Sequence, residues 1–163
     1  MFDADLTARA AAAIDAARSA GVRIVTVETC TAGLVSACLT SVPGSSEVVE
    51  RGYVLYHASA KATGLGVPET VSASHGAVSA EVTQGLAEGG LAHSEAGVSV
   101  AVTGYAGPGG GNARDPVGTC YIAAVRRGGE PLVARHVFSG NRDAVRAQAV
   151  GMALEMIVTA LRA

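Results

Sequence analysis

Aromatic residues make up only 4% of the 163 residues, and tryptophan is absent. The interior therefore has to be filled by Ala, Val, Leu and Ile. Small side chains let helices and strands approach closely, so a tightly layered α/β packing is expected. Charged residues are also scarce, at 16%, with a net charge of −2. No basic stripe is present, which argues against nucleic-acid binding. Apolar stretches are broken by Gly, Ser or Thr before they reach the roughly 18–20 residues of a membrane span, and none is expected. The first residues, MFDADLTARA, lack the basic-then-apolar pattern of a signal peptide. The three cysteines, Cys30, Cys38 and Cys120, have no metal-type spacing, and the four histidines form no HxH or HxxxH pair. A reduced, cytoplasmic protein with no metal and no cofactor is the expectation.

The scarcest charged residue is lysine. Lys61 is the only one, and the other eleven cationic side chains are arginine. A guanidinium keeps its proton at any useful pH, whereas a desolvated ammonium can lose it and act as a base. A lone lysine in an arginine-rich chain is therefore a candidate for chemistry as well as for the surface.

Hydrophobic residues make up 49% of the chain, which is enough for one domain with its own core. Leu6, Ala10, Ile14 and Ala17 recur at helical spacing over residues 3–20, and Gly21 stands at the cap position. VRIVTVE (22–28) reads as a buried strand, and residues 29–40 as a helix stopped by Pro43-Gly44. RGYVLYH (51–57) is a second strand, followed by a short helix over 58–66. Ser79 caps a further helix despite its three glycines. AGVSVAVT (96–103) is a third strand, and 104–118 is a Gly/Pro-rich loop. TCYIAAV and PLVARHVF form a hairpin around 126–130, and 141–161 is an amphipathic helix. The pattern predicts a single domain, a three-layer α/β/α sandwich with a mixed sheet.

In such folds, ligands bind beyond the carboxyl ends of the strands. Those places here are rich in hydroxyls and glycine: ETCTAG (28–33), YHASAK (56–61), TGYAGPGGG (103–111) and FSGNRDAVR (138–146), with PGSS (43–46) nearby. Each has an ordinary explanation as a cap, a turn or a core aromatic. Together they suit one mechanism. Lys61 can deprotonate a hydroxyl with Tyr56 as relay, and a glycine turn can hold an oxyanion. Arg142 and Arg146, at helical spacing, can hold an anion at a helix start. Acyl transfer on a phosphate-bearing substrate is the chemistry these groups suggest.

VETCTAG, LTSVPGSSEVVERGYVLYHASAK, HGAVS, VTGYAGPGGG, DPVGT and FSGNRDAVR occur in this order over most of the chain. The set resembles the C-terminal domain of the CinA (competence/damage-inducible) family in its stand-alone form. The resemblance implies a nicotinamide mononucleotide (NMN) amidohydrolase, which forms nicotinic acid mononucleotide and ammonia without a metal. Its catalytic hydroxyl, Tyr and Lys would fall on Thr29 or Ser46, Tyr56 and Lys61. Its substrate contacts would fall on Thr31, Gly33, Ser45, Thr103, Gly104, Gly107 and Arg142. Thr29 stands where the family usually has Ser, and Ala58 where many members have Asn. A small-molecule nucleotide is the expected partner, and the Gly- and Ala-rich helices are compatible with self-association. Two other readings stay open: a non-catalytic nucleotide-binding module, and Cys30 as a thiol nucleophile.

Overall fold

A computed structural model describes residues 1–163. Helix α1 (Ala4–Ala20) opens on Asp3, whose carboxylate accepts from Leu6 N at 2.8 Å, and closes on Gly21 at φ 66°. These are the acceptor and the left-handed residue that the ends of a helix need. The strands are β1 (Ile24–Glu28), β2 (Val49–Val54), β3 (Val98–Gly104), β4 (Thr119–Arg126) and β5 (Leu132–Val137). The remaining helices are α2 (Leu34–Thr40), α3 (Ala58–Leu65), α4 (Glu69–His75), α5 (Ala80–Ala92) and α6 (Arg142–Arg162). The sheet runs β2-β1-β3-β4-β5. The first three strands are parallel, and β4 and β5 return antiparallel as the expected hairpin. The fold is thus the predicted α/β sandwich with a mixed sheet.

Alternation along the strands assigns the two faces. Ile24, Val98, Val100, Val102 and Ile122 pack beneath α1, α2 and α6, against Ile14, Leu39, Leu154 and Ile157. Val25, Val27, Ala101, Ala123 and Val125 face α5 and α3, against Val82, Leu86 and Leu65. A glycine in α5 has a packing role. A Cβ at Gly90 would lie 2.9 Å from Val27 Cγ2 and 2.7 Å from Ser99 Oγ, so its absence lets α5 settle on the sheet. Helix α6 is long and apolar enough to cross a membrane, contrary to the reading from broken apolar runs. Yet 56% of its 18-residue apolar window is buried inside the domain, as suits a core helix.

Two local expectations are corrected. The helix expected from residue 29 begins only at Leu34, because Ala32 (φ 51°) and Gly33 (φ 96°) are left-handed and make a turn. Helix α4 gives no sequence signal: none of its seven residues is buried, so no apolar stripe marks it.

Candidate active site

Glu28 pairs with Val54 on one side and Val102 on the other, which brings the ends of β1, β2 and β3 level. Beyond that edge lies a cavity of about 200 Å³. Thr29 and Cys30 enter it from the end of β1, Tyr56 from the end of β2 and Lys61 from α3. Ala77 and Val78 come from the strap between α4 and α5, Gly104 and Ala106 from the end of β3, and Arg142 from the start of α6. The volume is below the roughly 300–1,000 Å³ of drug-sized sites.

Lys61 is only 5% exposed. Its ammonium donates to Ala77 O at 2.6 Å and meets no carboxylate. Burial without an anionic partner disfavours the charged form and lowers its pKa from the usual 10.5, while the nearby Cys30 pulls the other way. Thr29 is 7% exposed and its hydroxyl donates to Val102 O at 3.0 Å, with no hydrogen bond to Lys61.

The turn carrying Thr29 and Cys30 is organised by Glu28, a residue that the sequence did not mark. Its carboxylate is 1% exposed and accepts from the backbone N–H groups of Gly33 (2.9 Å), Val35 (3.0 Å) and Ser36 (2.9 Å). The Ser36 hydroxyl donates to it as well, at 2.8 Å. A buried carboxylate with this many donors at a helix start is the arrangement that keeps such a charge stable. The signal was available: an acidic residue ending an otherwise apolar strand has to find donors.

Arg142 Nη1 donates to Gly107 O at 2.7 Å, and its Nη2 donates to Tyr56 Oη at 2.9 Å. Tyr56 is 61% exposed and no hydrogen bond joins it to Lys61, so the expected relay is not made in this structure. Arg146 is used differently from Arg142. It donates to Cys30 O at 3.0 Å and Thr31 O at 3.2 Å, and so clamps the turn rather than waiting for an anion. The loop after β3 is held at Asp115, which accepts from Tyr121 Oη at 3.0 Å and Arg135 Nε at 2.9 Å. Burial pushes the Asp115 carboxyl up, but the bonds from Arg135 and Tyr121 outweigh it and hold the group below its usual 3.8.

Cys30 lines the cavity, and its sulfur and that of Cys120 flank Gly104. A Cβ there would lie 2.5 Å from Cys120 Sγ and 3.1 Å from Cys30 Sγ. The Cys120 thiol lowers the pKa of Cys30, and Thr29 and Arg146 add to the effect against burial. Cys120 is pushed up in turn.

Several expected site residues lie elsewhere. Ser45 and Ser46 sit in a 3₁₀ turn (Ser45–Glu47) at the start of β2, while Tyr56 and Lys61 follow its end. Six strand residues at about 3.3 Å each separate them by roughly 20 Å. Within one chain Ser46 is therefore not in the Lys61 cavity; it is exposed, and Ser45 donates only to Thr40 O at 3.5 Å. Thr31 is fully buried behind the turn. Gly33 serves as a donor to Glu28. Thr103 is fully buried against Thr83, with hydroxyl oxygens 2.8 Å apart, and does not line the cavity. A larger groove of about 500 Å³ runs between α3, α4 and α5, but Glu81, Gln84 and Glu88 are its only polar side chains.

Comparison with known proteins agrees with this architecture. Nicotinamide-nucleotide amidohydrolase PncC of Escherichia coli K12 is 41% identical over 157 residues, covering 96% of this chain and 95% of the relative. A CinA-like protein of Myxococcus xanthus is 43% identical, but only 37% of that longer chain is matched. The crystal structure of a competence/damage inducible protein, CihA, from Agrobacterium tumefaciens superposes with a TM-score of 0.96 at 38% identity, covering 100% and 99% of the two chains. A structure of the same superfamily from Klebsiella pneumoniae gives 0.91 at 33% identity, covering 96% and 97%. The model of the CinA C-terminal domain matches residues 6–161, and the chain belongs to that family.

Proposed function

We propose that the protein hydrolyses the carboxamide of NMN to a carboxylate and ammonia. One observation carries this reading: the only lysine of the chain is buried without an anionic partner, in a cavity shared with a hydroxyl, a thiol and a guanidinium. The name of the E. coli relative supports the substrate class.

In this reading Lys61, in its neutral form, takes the proton of the Thr29 hydroxyl as that group leaves Val102 O. The oxygen attacks the amide carbon, which the cationic pyridinium ring already makes electron-poor. The amide N–H of Ala106 belongs to a cavity residue and has no acceptor in the protein, so in this reading it is the donor for the developing oxyanion. The ammonium of Lys61 returns the proton to the departing nitrogen, and ammonia leaves. Water then hydrolyses the ester and restores Thr29. Arg142, with N–H groups left beyond Gly107 and Tyr56, is placed at the mouth to meet the phosphate.

A second reading puts the Cys30 thiolate in the attacking role. It is favoured by the position of Cys30 in the same cavity and by its lowered pKa. Ammonia release from NMN by the wild type, Thr29→Ala, Cys30→Ala and Ser46→Ala separates the readings. The first expects loss only in Thr29→Ala, and the second only in Cys30→Ala. A wild type that binds NMN by calorimetry but releases no ammonia leaves a nucleotide-binding module.

A further inference from the structure

A single proton on Thr83 orders a chain of contacts behind the cavity. Thr83 and Thr103 are both fully buried, with hydroxyl oxygens 2.8 Å apart. Thr83 Oγ1 also lies 2.6 Å from Ser79 O. A carbonyl oxygen only accepts, so the Thr83 proton goes to Ser79 O. Thr103 must then donate to Thr83, and the direction of the chain is fixed: Thr103 to Thr83 to Ser79 O.

Ser79 closes the strap 76–79, which is tied down at both ends. The Ser79 hydroxyl donates to Gly76 O at 2.9 Å, and Thr83 N donates to Ser79 O at 3.1 Å. Between these ties is Ala77, whose carbonyl is the acceptor for the Lys61 amine at 2.6 Å. The strap also forms a wall of the cavity through Ala77 and Val78. Where the amine sits, and how dry it stays, therefore depends on where the strap is held.

We propose that Thr83 is a positioning residue for Lys61: its hydroxyl, oriented by Thr103, pins the 76–79 strap and so sets the place and the dehydration of the Lys61 amine. This deepens the reading of Lys61 as the base, on which its kinetic consequence rests. Thr83 reaches no cavity atom itself. Thr83→Val keeps the shape but removes the only side-chain donor to Ser79 O and leaves the Thr103 hydroxyl without a partner. The strap loosens, water reaches the amine, and its pKa climbs back toward 10.5. The other titratable groups of the cavity, Cys30, Tyr56 and Arg142, are untouched by this substitution, as are His75 and Glu81, which pair at 3.4 Å on either side of the strap.

The test uses the fact that the chain has one lysine. Lysine labelled with ¹³C at Cε gives one resonance, whose shift with pH titrates Lys61 directly and independently of any activity. The expected result is a midpoint below 10.5 in the wild type, a higher midpoint in Thr83→Val, and the wild-type midpoint again in Thr83→Ser. Thr103→Val is expected to move it less, because Thr83 still donates to Ser79 O. In the NMN assay the acidic limb of kcat/KM should move up in step, with kcat at neutral pH reduced roughly ten- to a hundredfold. Identical midpoints in folded wild type and Thr83→Val, or no return in Thr83→Ser, would overturn the proposal. A wild type without amidase activity would sink the functional reading alone, and the Cε titration would still decide the role of Thr83.

Discussion

The guanidinium of Arg142 and the phenol of Tyr56 meet at 2.9 Å, joining the first residue of α6 to the end of β2. The contact makes Tyr56 an acceptor at the mouth of the cavity rather than a link between Lys61 and a hydroxyl. Tyr56→Phe is accordingly expected to lower kcat on NMN by less than about tenfold, below the range of a group that transfers a proton. Arg142→Ala is expected to raise KM by about ten- to a hundredfold with a smaller change in kcat, since a charge-assisted contact to phosphate is lost. Steady-state kinetics on the two variants checks both. A drop in kcat of a thousandfold in Tyr56→Phe would restore the relay.

Lys61→Met is expected to lower kcat by about 10²–10⁴-fold, the usual contribution of a general base. It should also change stability with a defined sign. The folded pKa of Lys61 lies below the unfolded 10.5, so between the two values the unfolded chain binds more protons and stability rises with pH. The cost of burying the ammonium is thus greatest below the folded pKa. The Tm difference in favour of Met should be largest below the folded pKa and shrink as pH rises from there toward 10.5, which differential scanning calorimetry across pH would show.

Glu28→Gln tests the turn. Gln presents one acceptor oxygen and an NH₂ group to a set of donors that requires two acceptors, so at least one buried N–H loses its partner. A destabilisation of about 1–3 kcal/mol is expected in denaturant unfolding. Ammonia release should fall as well, because Thr29 and Cys30 lie in the turn that the carboxylate orders.

Asp115 gives a prediction at acid pH. Its folded pKa is lowered below 3.8, so its contribution is present above 3.8 and is lost as pH falls through the folded value. Asp115→Asn is expected to be less stable than wild type at neutral pH, with the gap closing below about pH 4. Thermal unfolding between pH 2 and pH 7 measures the gap.

The sequence revealed the elements that bury a regular stripe. The apolar spacing through Ile14 marks α1, the β-branched run marks β1, and the hairpin and Asn141-capped α6 follow from their turn and cap residues. It missed α4, none of whose residues is fully buried, and it ran α2 through a turn whose Ala32 is left-handed without being Gly. For the site, local motifs placed Thr29, Tyr56, Lys61, Gly104 and Arg142 at one edge. Ser46 looked equally suitable by its motif, although the strand that lies between it and Lys61 in the chain already holds the two apart by its own length. Glu28 and Thr83 were invisible for a related reason: their partners are hydrogen-bond donors and acceptors that come together only after folding.

The first and last helices lie side by side, with Arg9 of α1 paired to Glu155 of α6, and the cavity that begins with Thr29 is completed by Arg142. A chain made from its N-terminus therefore holds most of the chemical groups long before it holds the site. While the last helix is still being synthesised, Lys61 has no finished pocket to be dried in. The amine should acquire its lowered pKa only when α6 has brought Arg142 to the cavity.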